Sequence, residues 1–87
     1  MMRSSNPLSP SAPDPGQEFI LTDTAAIGDL IRRRRKQLGL NLRFLSAGTG
    51  LSLAFVHAAE HGKPTAEISK IMELLAALGI DLIARPR

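Results

Sequence analysis

The sequence predicts an all-α fold, a small bundle of four to five helices closed by one short C-terminal strand. Three observations predict it. Apolar residues recur at three- and four-residue spacing in four successive stretches, the period of a helix with one buried face. A capping side chain or a glycine stands at the ends of those stretches. The last apolar segment, Ile80-Asp81-Leu82-Ile83-Ala84, begins with the alternation of a strand instead. With 87 residues the chain holds one domain at most. A chain this short is marginal by itself, so a dimer or another partner is expected.

Residues 1–17 contain four Pro and four Ser, with Arg3 their one cation. Such a segment buries too little apolar surface to offset its chain entropy, and a disordered arm is expected. A DNA-binding arm would carry more positive charge, so a passive leader is the simpler reading. The domain proper is expected over residues 18–79, with the strand and tail over 80–87. Residues 18–21 are a short extended segment with Phe19 and Leu21 on one face.

Asp23 or Thr24 can cap helix 1 through a side-chain oxygen. That helix is expected to run to Leu38, with Ile27, Leu30, Ile31, Arg34 or Arg35, and Leu38 at helical spacing. Gly39 stops it. Asn41 caps helix 2, which continues to Gly48 with Leu42 and Leu45 inward. Gly50 supplies a turn, and Ser52 caps helix 3 over residues 53–60, with Val56, Ala59 and Leu51 inward. Gly62-Lys63-Pro64 breaks the chain, since Pro disfavours helix in the residue before it. Thr65 is the expected cap of helix 4. Its inward stripe is expected to be Ile68, Ile71, Met72, Leu75 and Leu78, ending at Gly79. Core packing accounts for Met72 without a functional role. A lone strand over 80–84 has unpaired backbone groups. Its partner is either residues 18–21 or the same strand of a second subunit.

The formal charge is +3, and its distribution says more than its sum. Six of the 11 cations and none of the eight acids lie between Arg32 and Arg43. This local patch favours an anionic partner at that face. Five of these cations, residues 32–36, are consecutive; since each helical step turns by about 100°, only two or three of them can reach one phosphate surface. There is no Cys, so disulfides and thiolate metal sites are excluded. His57 and His61 stand at i and i+4, a spacing that can hold a metal. No second pair of ligands accompanies them, and surface histidines near a helix end are the simpler reading. No apolar run approaches the roughly 20 residues that cross a bilayer, and no secretory signal opens the chain; a bacterial-type cytoplasmic protein is expected. Without Cys, Tyr, a Gly-rich phosphate loop or a third group to orient Ser52 with His57, no enzyme and no cofactor are expected.

Residues 38–60 read as two short helices either side of the Gly50 turn. Such a pair can present its second helix to the DNA major groove. It requires apolar residues at Leu45, Leu51 and Val56, a small one at Ser46, and a residue tolerant of positive φ at Gly50. All five positions satisfy it, and Thr49 and Ala59 suit the two remaining inward sites.

The strings LIRRRRKQLGL, LSAGTGLSLAFVHAAEHGKPT and KIMELLAALGIDL resemble the Xre/Cro-CI helix-turn-helix class, whose fold is lambda-repressor-like. Within it the resemblance is to HipB-type antitoxins, over about residues 19–84, most of the chain. The Glu60-His61-Gly62-Lys63-Pro64-Thr65 corner and the Leu78-Gly79-Ile80-Asp81-Leu82 ending carry it most specifically. The resemblance implies a homodimer with paired C-terminal strands that binds double-stranded operator DNA and represses its own operon. It also implies contact with a HipA-like serine/threonine kinase toxin. It assigns Arg35 and Glu60 to a structural ion pair, Asn41 and Arg43 to the phosphate backbone at the start of helix 2, and Ser52, Leu53, Ala54 and His57 to base edges or nearby phosphates. Lys63, in the loop after helix 3, is placed to touch phosphate. Arg33 and Arg34 are expected to add phosphate contacts from the cationic run.

Three positions depart from the pattern. Leu42 replaces the usual Gln, removing one orienting hydrogen bond. Gly48 weakens helix 2 by about 1 kcal/mol relative to Ala. Helix 3 contains no Arg, Lys, Asn or Gln, whose bidentate contacts discriminate bases by roughly 1–3 kcal/mol each. What remains is contact with thymine methyls, one His and a serine cap, so recognition is expected to be modest or to lean on DNA shape. The leading expectation is a dimeric DNA-binding antitoxin acting as an autorepressor. The alternatives are a protein-binding scaffold that turns Leu53 and Phe55 to a partner, or a stand-alone phage-type repressor.

Overall fold

Local chemistry decides where the first three helices begin. The side chains of Asp23, Asn41 and Ser52 each accept the backbone N–H three residues on, at 2.8, 2.8 and 3.0 Å. Each thereby satisfies one of the N–H groups that a helix start leaves unpaired. The computed structural model describes residues 13–87, so residues 1–12 of the expected arm lie outside the described residues. Among the described residues the chain forms α1 (Thr24–Gln37), α2 (Leu42–Thr49), α3 (Leu53–Glu60) and α4 (Ile68–Ala77). None of these helices is long and apolar enough to cross a membrane.

The α2–α3 corner is fixed by the side chains that the sequence places there. Gly50 ends α2 at φ +76°, a conformation that side-chain-bearing residues rarely adopt, and its N–H donates to the Ser46 carbonyl at 3.0 Å. The Ser46 hydroxyl donates to the Leu51 carbonyl at 2.6 Å. Thr49 Oγ1 donates back to the Leu45 carbonyl and accepts the Leu51 N–H. The turn therefore has its polar groups paired while Leu51 enters the core.

Ile31 of α1, Leu45 of α2, Val56 of α3 and Leu74 and Leu75 of α4 meet in one apolar cluster. Burying each of these side chains stabilises the fold by roughly 1.5–3 kcal/mol. α1 crosses the C-terminal end of α3 closely enough that a Cβ on Gly28 would stand 2.7 Å from the Glu60 carbonyl oxygen. Thr24 adds a hydrogen bond from its hydroxyl to the Gly62 carbonyl at 2.8 Å, which leaves the N-cap role to Asp23. Of the two candidates for the inward position in the cationic run, Arg35 is the buried one. α1 stops at Gln37, so Leu38 is its cap and is exposed rather than inward.

α4 corrects two expectations. Its N-cap is Glu67, not Thr65, and Glu67 makes no side-chain capping bond; its carboxylate accepts the Ser69 hydroxyl instead. The chain between α3 and α4 spends Thr65 in a turn, where the Ala66 N–H donates to the Lys63 carbonyl. The inward stripe is Ile71, Leu74, Leu75 and Leu78. Leu74 is fully buried, whereas Ile68 and Met72 are 60% and 50% exposed. Each residue turns the helix by about 100°, so Met72 stands off the seam that Ile71 and Leu75 define.

The expected C-terminal strand is not present, nor is a ladder between residues 80–84 and 18–21: no strand is formed among the described residues. The two segments line opposite parts of a groove of about 700 Å³ floored by Leu30 and Leu75. An Arg85–Glu18 ion pair at 3.8 Å spans it. A strand is a property of a pair; the Ile80 N–H donates to the Leu75 carbonyl at 2.9 Å, and residues 81–84 have no strand partner among the described residues. Phe19 and Leu21 are half-buried while Ile20 is exposed, the alternation read from the sequence.

Candidate nucleic-acid interface

α2 and α3 start side by side on the surface. Between them lies a concavity of about 810 Å³ lined by Asn41, Leu42 and Arg43 from the start of α2, Leu53, Ala54 and His57 from α3, and Arg35 from α1. Each helix is eight residues long, and neither has an acid in its first turn. Both N-termini therefore keep their positive end partial charge and unpaired N–H groups for an anion. Arg43 adds an exposed cation to this side, and Lys63 is an exposed cation beyond the C-terminal end of α3.

One buried ion pair holds α3 in this position. Arg35 Nε and Nη2 donate to the two carboxylate oxygens of Glu60 at 2.6 and 3.0 Å. The remaining arm, Nη1, donates to the Leu40 carbonyl at 2.9 Å. The hydrogen bonds that Arg35 donates to Glu60, together with the Glu60 charge, hold the Arg35 pKa above the usual arginine value, against the opposing effect of burial. Each of the three guanidinium nitrogens is bonded within the protein, although the side chain lies at the back of the concavity. The planar fork that makes Arg a base reader serves here as a bolt between α1 and α3.

The five consecutive cations do different work. Arg32 and Lys36 are exposed. Arg33 pairs with Asp29 at 2.8 Å and lies over the Phe19 ring at 5.7 Å. Arg34 Nε donates to the Leu78 carbonyl at 2.9 Å, satisfying the C-terminal end of α4, and Nη1 donates to Gln37. Of the expected site residues, the concavity thus gathers Asn41, Arg43, Leu53, Ala54 and His57. Ser52 stands exposed at its edge as the cap of α3, and Lys63 is exposed in the loop beyond. Arg33 and Arg34 are not brought to it; their guanidinium groups are taken by the N-terminal segment, by α1 itself and by the end of α4.

His57 and His61 stack with ring centroids 4.1 Å apart, and His61 Nδ1 lies 2.8 Å from the His57 carbonyl. No group of three or more metal-ligating side chains gathers among the described residues. Leu42, expected inward on helix 2 and in place of the usual Gln, both packs against the core and lines the concavity, a site role the sequence did not give it.

A recessed corner with two unshielded helix starts and a glycine turn defines the helix-turn-helix class. The chain belongs to the helix-turn-helix family of the Xre/Cro-CI type, whose profile matches residues 31–83. The uncharacterized HTH-type transcriptional regulator y4mF of Sinorhizobium fredii (strain NBRC 101917 / NGR234) is 42% identical over 62 residues, 69% of this chain and 82% of that protein. Among solved structures, a HipB–O2 20mer complex shares the fold with a TM-score of 0.74 at 13% identity, covering 80% of this chain and 97% of that one.

Proposed function

We propose that the chain is a DNA-binding transcriptional regulator that works as a homodimer in the cytoplasm. The observation that carries this reading is the open start of α2 and α3, two helix N-termini without acids beside Arg43. Phosphates of one duplex strand settle on those N-termini, and α3 lies in the major groove with Leu53, Ala54 and His57 toward the bases. The identity to y4mF and the fold shared with HipB support the same reading. Two copies pairing through residues 80–84 would give that segment a strand partner and set two half-sites about one helical turn, roughly 34–36 Å, apart.

The test is a mobility shift on the DNA upstream of the chain's own reading frame, titrated with salt. The logarithm of the binding constant should fall linearly with that of salt concentration, and a flat response would overturn the reading. Replacing Arg43 and Lys63 with Ala should weaken binding to all sequences alike and reduce the salt slope by about 2. Arg33→Ala with Arg34→Ala should leave that slope unchanged and instead lower the melting temperature, because those groups brace the protein itself.

The finer proposal is an antitoxin that represses its own operon and neutralises a HipA-like serine/threonine kinase. It rests on the HipB resemblance. Phe44, Ile68 and Met72, 64%, 60% and 50% exposed, supply apolar surface away from the concavity for a protein partner. Phe55 does not, being half-buried against the core under Lys70. Co-expression with a kinase-sized product of the adjacent reading frame should give a stable complex of dimeric regulator and kinase by light scattering. Separate elution of the two would remove the antitoxin role and leave the repressor.

A further inference from the structure

We propose that this protein recognises its DNA site by the 5-methyl groups of pyrimidines and not by hydrogen bonds to base edges. The inference rests on the reading that α3 lies in the major groove, and it names what is read there. The surface that α3 offers consists of Leu53, Ala54 and His57, with Leu42 closing the concavity from α2. Leu53 is 37% exposed, an apolar side chain held at the mouth of a recess that contains little else to cover it.

Of the groups at the recess that usually read bases, the Arg35 guanidinium and the Asn41 oxygen are already engaged. Arg35 reaches the concavity with its guanidinium donating to both Glu60 oxygens and the Leu40 carbonyl, so it has no fork to offer guanine. Asn41 would need its oxygen and its NH2 together to grip adenine, and the oxygen accepts the Phe44 N–H that starts α2. Arg43 stands in the first turn of α2, where the helix start draws phosphate. An apolar recess flanked by phosphate-binding groups is complementary to a part of the major groove that is itself apolar, the C5-methyl group of thymine. The same methyl is carried by 5-methylcytosine. Leu53 and Ala54 carry no hydrogen-bonding side chain, so the contact they make does not tell a thymine–adenine pair from a 5-methylcytosine–guanine pair.

The experiment selects a duplex from a randomised pool with the full chain. The selected site is then resynthesised one position at a time with thymine, uracil, 5-methylcytosine or cytosine, each opposite its own partner. At one or two positions per half-site, the thymine and 5-methylcytosine duplexes should bind about fourfold tighter than the uracil and cytosine duplexes, the value of one buried methyl. Affinity that sorts by base pair, with thymine equal to uracil, would overturn the proposal, as would a selected site without thymine. Leu53→Ala should reduce the methyl effect to under twofold while circular dichroism shows the fold intact; an undiminished effect would also overturn it. Arg43→Ala should lower affinity for all four duplexes and leave their order unchanged. A salt-dependent shift with no methyl effect defeats this inference alone, whereas no shift on any duplex defeats the DNA-binding reading as well.

Discussion

Glu60→Gln should destabilise the domain by about 3–5 kcal/mol, the cost of leaving a buried charge without its counter-ion. The exchange keeps the shape of the side chain but opposes an NH2 group to one nitrogen of the Arg35 fork. A domain of this size loses roughly 4–8 °C of melting temperature per kcal/mol, so thermal unfolding followed by circular dichroism should shift down by at least about 12 °C. Arg35 and Glu60 contribute specificity of arrangement more than net stability, and replacing both with apolar residues of similar volume should recover most of the loss. A melting temperature within a few degrees of the parent for Glu60→Gln would show that something else binds α3 to α1.

The second large effect comes from a pair of identical substitutions with opposite signs. Gly28→Ala places a methyl group 2.7 Å from the Glu60 carbonyl oxygen and 2.9 Å from its carbon. The obstacle is backbone, which cannot rotate aside, so α1 and α3 must separate. Overpacking of this kind costs typically 1–3 kcal/mol and outweighs the helix-propensity gain of about 1 kcal/mol. DNA affinity should fall with stability, because the same shift moves Leu53 and His57. Gly48 lies within α2 with no heavy atom within 4 Å of an added Cβ. Gly48→Ala should therefore stabilise by about 1 kcal/mol with DNA affinity retained. If both variants melted at the parent temperature, the close approach of α1 to α3 would be disproved.

The features read correctly from the sequence are those decided within a few residues. Asp23, Asn41 and Ser52 cap because their side chains reach a backbone N–H three residues away, and Gly50 turns because it has no Cβ to clash. These need no knowledge of the rest of the chain. The start of α4 went astray for the same reason in reverse. Thr65 has the chemistry of a cap, yet the turn after Gly62 uses it before the helix begins. Its apolar stripe included Ile68 and Met72, which are exposed, and omitted Leu74, because all three fit the spacing nearly alike and only packing in the cluster with Ile31 and Leu45 distinguishes them. Residues 80–84 have the composition of a strand, but a single chain has no edge to pair with. In the candidate site, Asn41, Arg43, Leu53, Ala54 and His57 were legible because the glycine corner fixes their places. Arg33 and Arg34 were not. The family resemblance singled out Arg35 for Glu60, as the structure has it, but nothing in a run of identical residues tells which one meets the Leu78 carbonyl and which one covers Phe19.

Within the eight residues of α3, Val56, Ala59 and Glu60 face the body while Leu53, Ala54 and His57 face outward. If α3 reads DNA as proposed, anchorage and contact mutate independently, and substitutions at those three outward positions would change the target while the buried face that holds α3 stays intact.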